Sequence, residues 1–112
     1  MTHDFKNNML FTASLLFKSE HEPPSNGEPL LEEKIVLLEA VDKTAAQNKA
    51  AQYGKAEEHQ YRNEKGELVS WSFKCVERLC QVDDTILKDE SELFSRFLRD
   101  SEVKSLLTPF DN

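Results

Sequence analysis

Residues 58–73 read EHQYRNEKGELVSWSF, and this stretch decides the fold class. Within it, Asn63-Glu64-Lys65-Gly66 has the chemistry of a type I turn closed by a left-handed glycine. The asparagine side chain can bond back to the backbone, and glycine accepts a positive φ without steric cost. Such a turn joins hairpin strands with a G1 bulge. It places Asn63 opposite Glu67, and then pairs Arg62 with Leu68, Tyr61 with Val69, Gln60 with Ser70 and His59 with Trp71. Alternate residues share a face. His59, Tyr61, Val69, Trp71 and Phe73 therefore line one side, and Gln60, Arg62, Leu68, Ser70, Ser72 and Lys74 line the other. One apolar and one polar side is the pattern of an antiparallel sheet with one buried face.

Working outward, the residues before the hairpin supply two strands and a helix. Residues 9–19 alternate as a strand with Phe11, Ala13, Leu15 and Phe17 on one face, and Leu16 hints at partial cover on the other. The MLFTASLLF core of this segment has the length of a signal-peptide core. Asp4 precedes it and Lys18-Ser19-Glu20 follows with no small-residue cleavage site, so a first strand is the reading taken. Nine residues are also too few to span a bilayer as a helix. Residues 20–30, with three prolines and an Asn-Gly pair, read as a mobile loop. Residues 31–41 form a second strand, and its continuous Ile35-Val36-Leu37-Leu38 run predicts a central strand with both faces partly covered. Asp42 then caps a helix to about residue 57, with Ala45, Ala46, Ala50, Tyr53 and Gly54 at helical spacing on a face made mostly of small residues. Gly54 either permits close packing or marks the helix end.

Beyond Phe73 the alternation fails, because Val76 and Leu79 are out of phase with Trp71 and Phe73. A bulge near Cys75 and Val76 accounts for that. Asp83-Asp84-Thr85 reads as a turn. Residues 92–98 (ELFSRFL) fit both a strand and a helical stripe, and residues 101–107 read as a short last helix stopped by Pro109. The expectation is one α+β domain over residues 1–112, with residues 1–8 and 108–112 frayed. An antiparallel sheet of four to five strands carries the main helix on one face, in the order ββαβββ with a possible C-terminal helix.

The pieces SLLFKSE, EEKIVLLEAVDKTAAQNKAAQYGKAEE, HQYRNEKGELVSWSF and ELFSRFL together resemble a bacterial family catalogued only as domain of unknown function 4288. The tyrosine-asparagine, glycine-glutamate and tryptophan-x-phenylalanine pieces of the hairpin are the most specific, and Phe94 stands where the family pattern suggests tyrosine. The resemblance implies a small cytoplasmic α+β protein and favours a strand at 92–98. It implies no activity, so no catalytic role carries over.

Composition narrows the function. The net charge of −7 in 112 residues disfavours nucleic-acid binding and suits a basic protein partner. Cys75 and Cys80 are five apart; in a regular strand they point to opposite faces and cannot bond, as expected of reduced, half-buried cysteines in the cytoplasm. No phosphate loop, zinc spacing or nucleophile elbow occurs, so no catalytic residue, metal or cofactor is expected. The candidate ligand-binding residues are His59, Tyr61, Trp71 and Arg96. His59 beside Glu57 or Glu58 could act in acid–base chemistry; the plainer reading is a sheet-edge histidine bonded to a helix-terminal carbonyl. Tyr61, Trp71 and Phe73 could stack a ring-shaped ligand, but more often such a triad is core. Arg96 among Phe94, Phe97 and Leu98 needs solvent or a carboxylate; a structural salt bridge is its simplest use, and anion binding is the alternative. The functional expectation is a non-enzymatic protein–protein module, of inhibitor or immunity-like type, with pairing of two copies through a strand edge also open. The alternative is a small-ligand binder or enzyme using the aromatic face and His59.

Overall fold

A computed structural model describes residues 8–24, 27–83 and 86–108. The elements run β1 (Met9–Glu22), β2 (Leu31–Ala40), α1 (Lys43–Ala56), β3 (His59–Arg62), β4 (Leu68–Val82) and α2 (Asp100–Leu107). The strands form one antiparallel sheet in the order β2-β1-β4-β3. The α+β class, the main helix on one face and the short C-terminal helix are as the sequence leads one to expect. Most of the expected frayed ends, Ser25 and Asn26 in the 20–30 loop, Pro109 and much of the Asp83–Thr85 turn lie outside the described residues.

β1 is an interior strand, as β4 is, because it is apolar or small on both sides. Phe11, Ala13, Leu15 and Phe17 are buried toward α1, while Leu10, Thr12 and Ser14 are buried on the second face. β2 was expected in a central position and is instead an edge strand. Its Val36 and Leu38 join the α1-side core, but Ile35 and Leu37 stay exposed on the second face. β1 also runs past Glu20, to Glu22, before the proline-rich loop begins. Ser19 closes the base of that loop: its N–H donates to Leu30 O at 2.9 Å, and its hydroxyl accepts from Leu30 N at 3.3 Å.

α1 starts where Asp42 Oδ1 accepts from Ala45 N at 2.8 Å. Ala46, Ala50 and Gly54 are its buried positions, so its backbone can lie close to the sheet. Gly54 is inside the helix and meets the Phe73 ring, which settles its role as close packing. Phe73 in turn meets Phe17 edge to face, with centroids 5.8 Å apart.

The hairpin has the register derived from its turn: Arg62–Leu68, Tyr61–Val69, Gln60–Ser70 and His59–Trp71. Gly66 sits at φ 79°. Asn63 Oδ1 accepts from both Lys65 N and Glu67 N at 3.0 Å, replacing strand hydrogen bonds across the turn. Further along, β4 pairs with β1 through two register shifts, between Ser14 and Leu15 and between Leu16 and Phe17. The unpaired residues are Glu77 and Lys74, which flank the expected site at Cys75 and Val76. Each extra residue reverses the alternation, so Phe73, Val76 and Leu79 all reach the α1-side core despite their irregular spacing. The same reversal corrects the cysteines. Cys75 pairs with Leu16 and Cys80 with Thr12, so both lie on the second face. They are still free, since four residues of β1 separate their partners by about 13 Å, beyond the ~7 Å Cα limit of a disulfide.

Residues 92–98 form neither strand nor helix. They cross the second face instead, anchored where Thr12 Oγ1 donates to Leu93 O at 3.0 Å. A ladder partner is denied them because β4 already has its neighbours and the segment lies over the sheet, not beside it.

Candidate functional site

Three of the four candidate residues come together at the end of the hairpin, on the α1 side of the sheet. Strand pairing places Ser19, Trp71 and His59 on one rung, and His21, Val69 and Tyr61 on the next. The His59 and Tyr61 rings stack with centroids 6.0 Å apart and planes at 18°. Trp71 is half-buried against the core cluster, while Tyr61 is 47% exposed. The aromatic face is thus divided: Val69, Trp71 and Phe73 serve the core, and His59 and Tyr61 face solvent beyond the end of α1. Tyr61 borders an open depression of about 640 Å³ that also meets His21, Arg62 and Glu67.

His59 is held as a sheet-edge histidine. Its Nδ1 lies 3.1 Å from Glu57 O. A carbonyl only accepts, so Nδ1 carries the proton in this contact. Neither nearby carboxylate serves the imidazole. Glu57 is engaged by Lys34 Nζ at 3.4 Å and by the Tyr53 hydroxyl at 3.2 Å. Glu58 accepts from Phe73 N at 2.9 Å, which satisfies a β4 backbone donor beyond the reach of short β3. An acid–base pair centred on His59 is therefore not assembled here.

Arg96 is on the opposite face. Its guanidinium lies 5.9 Å from the Phe94 ring centroid, and that of Arg78 lies 5.4 Å from the same ring. Cation–ring stacking takes the place of the salt bridge expected for Arg96. Leu93 and Phe94 cover Thr12 and Arg78 on the side of the sheet away from α1, so Arg96 does not join His59, Tyr61 and Trp71. A single cleft built from all four residues does not exist.

The second face carries an apolar surface outside the four candidate residues. The 92–95 segment covers its β1–β4 half but leaves Ile35 55% and Leu37 48% exposed on β2. Phe97 is fully exposed, and no residue of α2 is buried. The signal was present in the sequence: an unbroken Ile-Val-Leu-Leu run belongs to a strand covered on both sides, and among the described residues β2 is covered only on its α1 side.

Among the described residues, no group of three histidine, cysteine, aspartate or glutamate side chains is placed to hold a metal ion. Among the same residues, no helix is long and apolar enough to cross a membrane. No curated protein and no solved structure matches the chain. A family match does exist, and it begins in β1, takes in the whole hairpin and ends in the segment that crosses the second face. Over residues 10–95 the chain matches the domain of unknown function DUF4288, and it belongs to that family.

Proposed function

We propose that this protein is a non-enzymatic protein–protein interaction module. The observation that carries the reading is the uncovered apolar surface of the second face and the C-terminal arm, where Ile35, Leu37, Phe97 and Leu107 meet solvent. Apolar patches of this kind mark interaction sites. The net charge of −7 adds a preference for a basic protein, reached by fast, salt-sensitive association, as an inhibitor of immunity type would require. The free edge of β2 offers a further pairing surface for a peptide or a second copy. The free cysteines support a reducing compartment such as the cytoplasm. The test is a photoreactive phenylalanine analogue placed at Phe97 or Ile35 in living cells. Irradiation is expected to yield adducts that contain protein; none at either position sinks the reading.

The second reading is a small-ligand binder at the hairpin end. The exposed stack of His59 on Tyr61 beside an open depression favours it. A ring-shaped ligand would then quench Trp71 fluorescence saturably, and Tyr61→Ala would abolish the effect. Unsaturable quenching across ligand classes counts against it.

A further inference from the structure

We propose that two copies of this chain form a two-fold dimer by exchanging their C-terminal arms. Residues 96–107 of each copy cover the open β2 half of the second face in the other. The proposal rests on the interaction reading and names the partner for that surface.

Two unsatisfied apolar surfaces lie on the same molecule. The first is the pair Ile35 and Leu37, which stand beside buried Ser14 and Thr12 on neighbouring β1. The second is the arm. Phe97 is 103% exposed, and Val103, Leu106 and Leu107 recur at helical spacing on α2 without burial. Among the described residues, the backbone of α2 does not come close to any other strand or helix of its own chain. An eight-residue helix has little stability of its own in water, because nucleation is costly and isolated helices shorter than about 12 residues are marginal. Its apolar stripe therefore needs a surface, and the exposed half of the sheet needs a cover.

The arm approaches the second face at Leu93 and Phe94, then leaves it at Phe97. Its own chain thus takes up the β1–β4 half and leaves the β2 half to a neighbour. Charge agrees with the pairing. The arm carries Arg96, Arg99 and Lys104 against Asp100 and Glu102, a surplus of one positive charge in a chain of net charge −7. Glu33 and Glu39 stand on the β2 side of the face, paired with Leu16 and Leu10, and keep their negative charge while accepting from the neutral Ser14 hydroxyl and Asn8 amide. A two-fold exchange uses both surfaces of both copies, so it closes and leaves neither open. The apolar side chains involved offer on the order of 500 Å² per copy; at the usual apolar share this corresponds to about 900 Å² of interface, near the ~800 Å² per partner of a stable complex.

Sedimentation velocity on the full chain, from about 1 to 100 μM, reads the association. A concentration-dependent dimer is expected. The arm variant Leu106→Asp/Leu107→Asp and the face variant Ile35→Asp should each weaken association at least tenfold, with the far-ultraviolet circular dichroism of the sheet retained. Should Ile35→Asp fail to fold, Leu37→Ser tests the same face. An equimolar mixture of arm and face variants should associate where neither does alone, because one intact arm then meets one intact face. A chain that stays monomeric throughout overturns the proposal, as does a dimer indifferent to the arm variant or a mixture that does not associate. If the chain is monomeric while the analogue at Phe97 captures a different protein, the interaction reading stands and self-exchange falls. Absence of any protein adduct sinks the interaction reading itself.

Discussion

The ring of Phe73 fills the space that a side chain on Gly54 would need: a Cβ there would overlap the ring edge and lie 2.8 Å even from Phe73 Cγ. Neither partner can yield easily. Gly54 is fixed by the helix, and the ring is held from behind by Phe17. Alanine gains roughly 1 kcal/mol over glycine in a helix interior. Here overpacking outweighs that gain, and Gly54→Ala is expected to destabilise the protein by about 1–3 kcal/mol. Urea unfolding checks the sign; a midpoint that is unchanged or raised refutes the packing argument. Gly54→Ala combined with Phe73→Leu should recover part of the loss.

Asn63 ties the hairpin turn by accepting two backbone hydrogen bonds, and no other side chain supplies them. Asn63→Ala should cost about 1–2 kcal/mol. Gly66→Ala should cost about 1 kcal/mol from its left-handed backbone alone, since nothing lies within 4 Å of the added methyl. Amide hydrogen exchange of β3 should rise in both variants while that of interior β1 stays slow. Equal acceleration of both strands would show that the turn is not a local element.

Tyr61 and Phe17 separate the two fates of the aromatic residues on the α1 side. Phe17 is 1% exposed and Tyr61 is 47% exposed. Phe17→Ala should cost about 3–5 kcal/mol, or abolish folding. Tyr61→Ala should cost no more than about 1 kcal/mol. A large loss on truncating Tyr61 would mean that the hairpin end is part of the core.

The two thiols give a probe of the segment that crosses the second face. Cys75 is exposed, whereas Cys80 is half-buried beside Leu93 and Phe94. Cys75 should react with a maleimide promptly in the native protein and Cys80 at least tenfold more slowly, as read by peptide mass spectrometry. Phe94→Ala should accelerate Cys80 alone. Equal rates in the unaltered protein would show that residues 92–95 do not cover the sheet.

Local chemistry made the hairpin legible. Asn63 and Gly66 dictate a turn, the turn dictates a register, and the register assigns every side chain from His59 to Trp71 to a face. Asp42 and the alanines of α1 were legible for the same reason, since capping and small-residue spacing act within a few residues. Strand order was not. The Ile35–Leu38 run shows that β2 is apolar on both sides, but not whether the second cover comes from this chain or another. Nor could spacing show that the distal Arg96 lies across the sheet from His59, because that depends on which face residues 92–98 choose. A single hydrogen bond from Thr12, 81 positions away, marks that choice.

Lys74 and Glu77 give β4 a surplus of contour. Thirteen residues of β1, Leu10–Glu22, are matched by fifteen of β4, Leu68–Val82. A longer ribbon fastened along a shorter one has to bend, so the sheet's curvature is written into the difference in length, at about 7 Å of extra chain. The surplus is even, which preserves phase at both ends of the strand. Removing Lys74 and Glu77, singly or together, would keep every remaining pair in register and each inward side chain pointing inward, and would flatten the sheet step by step.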